Sequence, residues 1–194
     1  MKKIIIIILI FILSPFSLNV FAPNMPGSYD SNGIMKQMKK ENDLRKRLAY
    51  DRSLEDFKFA IAFKESSNNW RKYNPYGYIG KFQFGEAALD VTGYGHISFL
   101  DFIDNPSIFP EKDQDKAMDS LLSFNAYVLE EYIRDFEGTV ILDSIPVTKI
   151  GVLAASHLAG PGNVKRFLNT KGRYNPKDMM GTHLSDYLMA FGHQ

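Results

Sequence analysis

The segment "LEDFKFAIAFKE", residues 54–65, does most to limit what this chain can fold into. At about 100° per residue, Leu54, Phe57, Ile61 and Glu65 fall within an arc of roughly 80° on a helix. Lys58 lies near that stripe, and Phe59 and Phe63 lie opposite it. A helix apolar on nearly all sides is a core helix, so burial is expected all round. Ser53 followed by Asp56 fits a capping pattern and places the expected helix start near residue 54. The stripe ends on a carboxylate, and the polar "SSNNW" follows at once. Two readings of Glu65 stay open. It is either a paired structural glutamate in a last helical turn, or an acid in an apolar wall whose desolvation keeps it protonated.

The chain around this segment is globular in composition, with 45% hydrophobic and 23% charged residues over 194 positions. That length suits one domain with a sizeable core and a short flanking arm. The opening "MKKIIIIILIFILSPFSLNVFA" has a basic start, an apolar run over residues 4–13 and a small-residue cleavage site ending at Ala22. A membrane-spanning helix needs roughly 20 apolar residues, so a signal peptide over residues 1–22 is expected, and an uncleaved anchor is the alternative. Residues 23–52 then read as a linker and a polar helical arm, and residues 53–194 as the main domain. Export follows, with no stable membrane span after cleavage.

Loss of Lys2 and Lys3 takes the basic count from 23 to 21 against 22 acidic residues. Such a neutral chain lacks the dense basic face of a nucleic-acid binder, so no nucleic-acid partner is expected. There is no cysteine, which excludes disulfides, thiolate metal sites and cysteine nucleophiles. An exported chain without disulfides must take its stability from its core.

Along the chain, "APNMPGSYDSNG" is linker-like and "IMKQMKKENDLRKRLAYD" reads as a solvated helix. "EAALDVTG" predicts a short helix ended by Gly93, and residues 112–136 the longest helix. "GTVILDSIPV" is expected to be extended. Thr148 is expected to cap "KIGVLAASHLA", ended by Gly160 and Pro161, with short helices near 162–169 and 184–191. Helices dominate, with a small extended or hairpin lobe after Glu65.

No metalloprotease, phosphate-loop, dinucleotide or serine-elbow motif is present, and His96, His157, His183 and His193 show no ligand spacing. No metal and no cofactor are expected. What remains is a carboxylate followed by turns rich in glycine and aromatic residues, a composition suited to sugars. Glycosidic cleavage needs an acid that protonates the leaving oxygen, and at neutral pH that means a carboxyl with a raised pKa.

"ESSNNW", then "GYIGKFQFG", then "GVLAASHLAGPGNV" resemble the lytic transglycosylases of the lysozyme-like superfamily, from about residue 54 to the C-terminus. That family shows a Glu-Ser pair, a Gly-x-x-Gly-x-x-Gln segment (here Gly77, Gly80 and Gln83) and an Ala-Tyr-Asn-x-Gly segment. The resemblance implies a mainly α-helical, lysozyme-like fold and peptidoglycan glycan strands as substrate. It implies Glu65 as the single acid/base, Ser66 beside it and Gln83 lining the cleft, and Tyr78 suits the same cleft. The third motif departs, with "SHL" where Tyr-Asn is expected. His157 there is either a group orienting Glu65 or a hydrogen-bonded core histidine, and both readings stay open. A muramidase using water and an inactive glycan-binding or assembly protein are the alternatives.

Overall fold

The computed structural model describes residues 31–192, so the signal peptide expected over 1–22, the linker up to residue 30 and His193 lie outside the described residues. The chain divides after Glu41 into two compact units, Met1–Glu41 and Asn42–Gln194. Of the first, the described residues form the opening turns of helix α1 (Ser31–Ser66), with residues 35–41 exposed. Helix α1 runs through the position where Ser53 and Asp56 predicted its start. No glycine or proline occurs from Ile34 to Asn74, so a helix begun near residue 31 has nothing to stop it. At 36 residues α1 is also the longest helix. The stretch expected to hold that place is divided at Leu129 into α4 (Glu111–Val128) and α5 (Glu130–Phe136), with neither proline nor glycine at the break.

The second unit is mainly helical, as expected. It continues with α2 (Glu86–Thr92), α3 (Phe99–Asp104) and a 3-10 turn (Pro106–Ile108) before α4 and α5. Strands β1 (Val140–Ile141) and β2 (Ile145–Pro146) pair antiparallel, Val140 opposite Pro146, inside the stretch expected to be extended. Helices α6 (Lys149–Ala159), α7 (Pro161–Asn169) and α8 (Leu184–Phe191) complete it. The segment after Glu65 has turns and two isolated bridges, Tyr73–Ile79 and Ile79–Phe84, rather than strands. Positive φ angles at Gly77, Gly80 and Gln83 interrupt every extended run there before a ladder can form.

Helix α6 is the centre of the core. Its residues 150–156 are all buried, and its start is capped by Thr148, whose hydroxyl accepts from the Gly151 N–H at 3.1 Å. Gly151 lets α8 approach closely, since a Cβ there would stand 3.2 Å from the Leu188 carbonyl oxygen. Helix α1 joins this core through one face only. Phe57 and Ile61 are fully buried, each worth about 1.5–3 kcal/mol in removed apolar surface. Phe59 and Phe63 are 64% and 62% exposed, which corrects the expectation of burial all round. Lys58 is buried beside the core face. Burial lowers its pKa, but hydrogen bonds to Asp119 on α4 (2.6 Å) and to Glu55 (2.9 Å) outweigh that, and the net shift is upward. Phe191 of α8 meets Phe57 edge-on at 5.2 Å, which fixes the end of α8 against the core face of α1. Among the described residues, no helix is long and apolar enough to cross a membrane.

Candidate active site

Glu65 occupies the last turn of α1 and is half-buried. Its Oε1 accepts a hydrogen bond from the Tyr187 hydroxyl at 2.6 Å, across 122 positions of sequence. Tyr187 belongs to the buried face of α8 with Leu184, Leu188 and Phe191, and it is 2% exposed. Burial first, and then the neighbouring Glu65 charge, push the Tyr187 phenol well above its usual range. The phenol therefore stays protonated and acts as a fixed donor to the carboxylate. The start of α8 is pinned by a capping box, in which the His183 N–H donates to Asp186 Oδ2 at 2.9 Å. That cap sets the register which delivers Tyr187. Lys64 Nζ covers a face of the same ring, 3.9 Å from its centre. The surroundings of Glu65 are thus hydrogen-bonding as well as apolar, which differs from the bare apolar wall expected from the stripe.

The loop of residues 67–85 forms one wall of the site, and buried amides hold it. Gln114 of α4 is fully buried; its Oε1 accepts from the Lys81 N–H at 2.7 Å, and its Nε2 donates to the Trp70 and Phe109 carbonyls at 2.8 and 2.7 Å. Gly80 makes room for it: φ is +78°, and a Cβ would fall 2.4 Å from Gln114 Oε1. Gln83 sits at φ +52°, with Nε2 donating to the Gly80 carbonyl at 2.8 Å and Oε1 accepting from Asn74 Nδ2 at 3.0 Å. Asn74 Oδ1 in turn accepts from the Tyr76 N–H at 2.9 Å, an Asx turn ahead of two exposed tyrosines, Tyr76 and Tyr78. The Ser66 hydroxyl donates to the Lys81 carbonyl at 2.8 Å and accepts from the Asn69 N–H at 3.0 Å. Ser66 ties the helix end to this wall and does not line either cavity described below.

Two adjoining cavities meet at Tyr76, Tyr78, Gln83 and His157. The smaller, about 90 Å³, holds Glu65 together with Asn74, Asp178, Met179 and Met180. The larger, about 810 Å³, runs past α2, α3, α4 and α6 without reaching Glu65, and is within the roughly 300–1,000 Å³ usual for ligand sites. The small cavity contains the Glu65 carboxyl group, and the large one has the room for a ligand. His157 near the end of α6 lines both, and its Nδ1 is sealed from solvent with no hydrogen-bond partner. Burial lowers its pKa, while the Glu65 charge and the Phe82 backbone pull the other way. The net shift is downward, so a neutral imidazole faces the cleft at pH 7.

Tyr78, Gln83 and His157 come together at the junction of the cavities, and Glu65 lines the smaller one with them. Sequence reasoning missed Tyr187, Asn74, Gln114 and Asp178. For Tyr187 a signal existed: a hydroxyl standing on the otherwise apolar stripe Leu184, Leu188, Phe191. Asp178 lines the small cavity, and its Oδ1 accepts from the Met180 and Thr182 N–H groups at 2.9 and 2.8 Å, holding the tip of the second wall, residues 170–183. No protein-family model, curated protein or solved structure matches this chain.

Proposed function

We propose that this chain is an exported lytic transglycosylase with a lysozyme-like fold, cleaving the β-1,4 bond between N-acetylmuramoyl and N-acetylglucosaminyl residues of peptidoglycan. The observation that carries this reading is the lone glutamate held at 2.6 Å by a protonated tyrosine, in a small cavity opening onto a large one. Glu65 gives its proton to the glycosidic oxygen as the bond to the anomeric carbon breaks. The resulting carboxylate takes the proton of the muramoyl 6-hydroxyl, whose oxygen closes on the same carbon. The product is a 1,6-anhydro end, no water is consumed, and Glu65 regains the proton it gave. Tyr187 orients the carboxyl through both steps. Tyr76 and Tyr78 offer flat faces for pyranose rings at the junction.

A muramidase is the second reading, favoured by Asp178 in the same cavity. Such an enzyme activates water with a second carboxylate across the scissile bond. Against it, one Asp178 oxygen is committed to two backbone N–H groups of its own turn. Mass spectrometry of digested sacculi separates the readings. Anhydro ends, retained in Asp178→Asn, are expected; reducing ends that vanish in Asp178→Asn would establish the muramidase, and no product from folded protein would remove both.

A further inference from the structure

One wall of the large cavity contains a polar group that the catalytic scheme does not use. Asn125, on the buried face of α4, is 1% exposed and lines the cavity, and neither its Nδ2 nor its Oδ1 has a hydrogen-bond partner. Leu121, Phe124, Ile97 and Ser156 line the same cavity, and the Ser156 hydroxyl is already donated to the Leu153 carbonyl. Nearly all buried side-chain amides are paired, and leaving one unpaired is costly. In a closed core the position would favour leucine. At the wall of an 810 Å³ cavity, an occupant can supply the missing partner. The other unpartnered buried polar atom among the described residues, His157 Nδ1, belongs to a residue lining the same cavity.

We infer that Asn125 is a specificity residue reading the acetamido group of a 2-acetamido sugar bound in the large cavity, an inference that rests on the glycan-cleaving function proposed above. The chemistry of the wall fits that group. An acetamido group combines a methyl, which suits Leu121, Phe124 and Ile97, with a carbonyl, which needs a donor such as Nδ2. In a trans amide the N–H points away from the carbonyl, so Oδ1 takes a neighbouring sugar hydroxyl instead. A stem-peptide amide carries the same polar pair, but its flanking chain continues on both sides, whereas the acetamido group ends in a methyl that the apolar wall can close over.

The test measures binding by calorimetry, using the full chain as Glu65→Gln so that nothing is cleaved. The probes are the β-1,4 tetramer of N-acetylglucosamine and cellotetraose, which has a hydroxyl where the acetamido group stands and carries no charge or peptide. Asn125→Leu is expected to weaken the acetylated tetramer about tenfold, weaken cellotetraose less so that the preference is lost, and hold or raise the melting temperature, since it removes two unpaired buried groups. Asn125→Ala is the second variant, with the same expected loss of preference should Leu not fit. A preference for the acetylated tetramer that survives in either folded variant overturns the role of Asn125 and leaves the glycan reading standing. A melting temperature lowered by several degrees in Asn125→Leu, with preference kept, likewise assigns the amide to structure and overturns it. Failure of the parent protein to bind either tetramer overturns the glycan reading itself, and Asn125 with it.

Discussion

The two walls flanking Glu65 are built on opposite terms. The wall of residues 67–85 is tied to α4 by two hydrogen bonds of Gln114, to Lys81 and Trp70, and by Lys81, which is buried between Glu111 at 3.1 Å and Asp115 at 2.7 Å. The tip of the other wall, residues 177–183, is closed mainly on itself, through the Asp178 turn and the Lys177–His183 bridge, and it presents Met179 and Met180 at 73% and 83% exposure. The first wall therefore couples site geometry to global stability. The second can change with little cost to the fold, and its effects should surface in binding.

Gln114→Ala should break this contrast most forcefully. It strands the Lys81 N–H and the Trp70 carbonyl of that wall and the Phe109 carbonyl ahead of α4, and about 3–4 kcal/mol of stability should be lost. Urea denaturation reads this, and a loss below 1 kcal/mol would show that the first wall is not anchored as described. Tyr187→Phe removes only the hydroxyl that α8 presents to Glu65. Turnover should drop roughly ten- to a hundredfold with stability lower by about 1 kcal/mol. Equal activity with the phenylalanine would mean that the 2.6 Å bond does not position the acid.

The second wall should behave differently. Met179→Ala with Met180→Ala is expected to leave stability within about 0.5 kcal/mol, because both side chains are in solvent. The sacculus concentration at half-maximal rate should rise a few-fold, through lost apolar contact beside the cleaved bond. A large drop in melting temperature would erase the distinction between the walls.

The smallest effect concerns pH. His157 has its folded pKa below the usual 6.5, so below that pH the unfolded chain binds the proton more readily than the folded one. Its contribution to stability is therefore complete above 6.5 and declines as pH falls through it. The melting temperature of His157→Gln should fall less than that of the wild-type protein between pH 7.5 and 5.5. Parallel curves would mean that the ring is not held neutral in the fold.

What could be read in advance was local. Gly93 ends α2 at φ +85°, and Thr148 caps α6, because each signal and its effect lie within a few residues. Phe57, Ile61 and Glu65 were legible as one helical stripe for the same reason. The start of α1 was misplaced because Ser53 looks like a cap, yet capping competes with propagation, and nothing upstream breaks the helix. Phe59 and Phe63 were misjudged because periodicity shows which residues share a face, but not whether anything covers it. Gln114 meets Lys81 across 33 positions and Tyr187 meets Glu65 across 122, distances at which no spacing rule operates. The pieces of the site were visible, and the long-range bonds that hold them were not.

The central claim is that Glu65 alone carries the proton, first to the leaving oxygen and then from the attacking hydroxyl. The direct measurement is sacculus digestion by purified Glu65→Gln, on a preparation whose melting curve matches the wild-type protein. The amide accepts the Tyr187 hydrogen bond but delivers no proton, so the account predicts that release of anhydro ends falls at least about a thousandfold. Release within a few-fold of wild type would contradict it and move the acid elsewhere in the cleft.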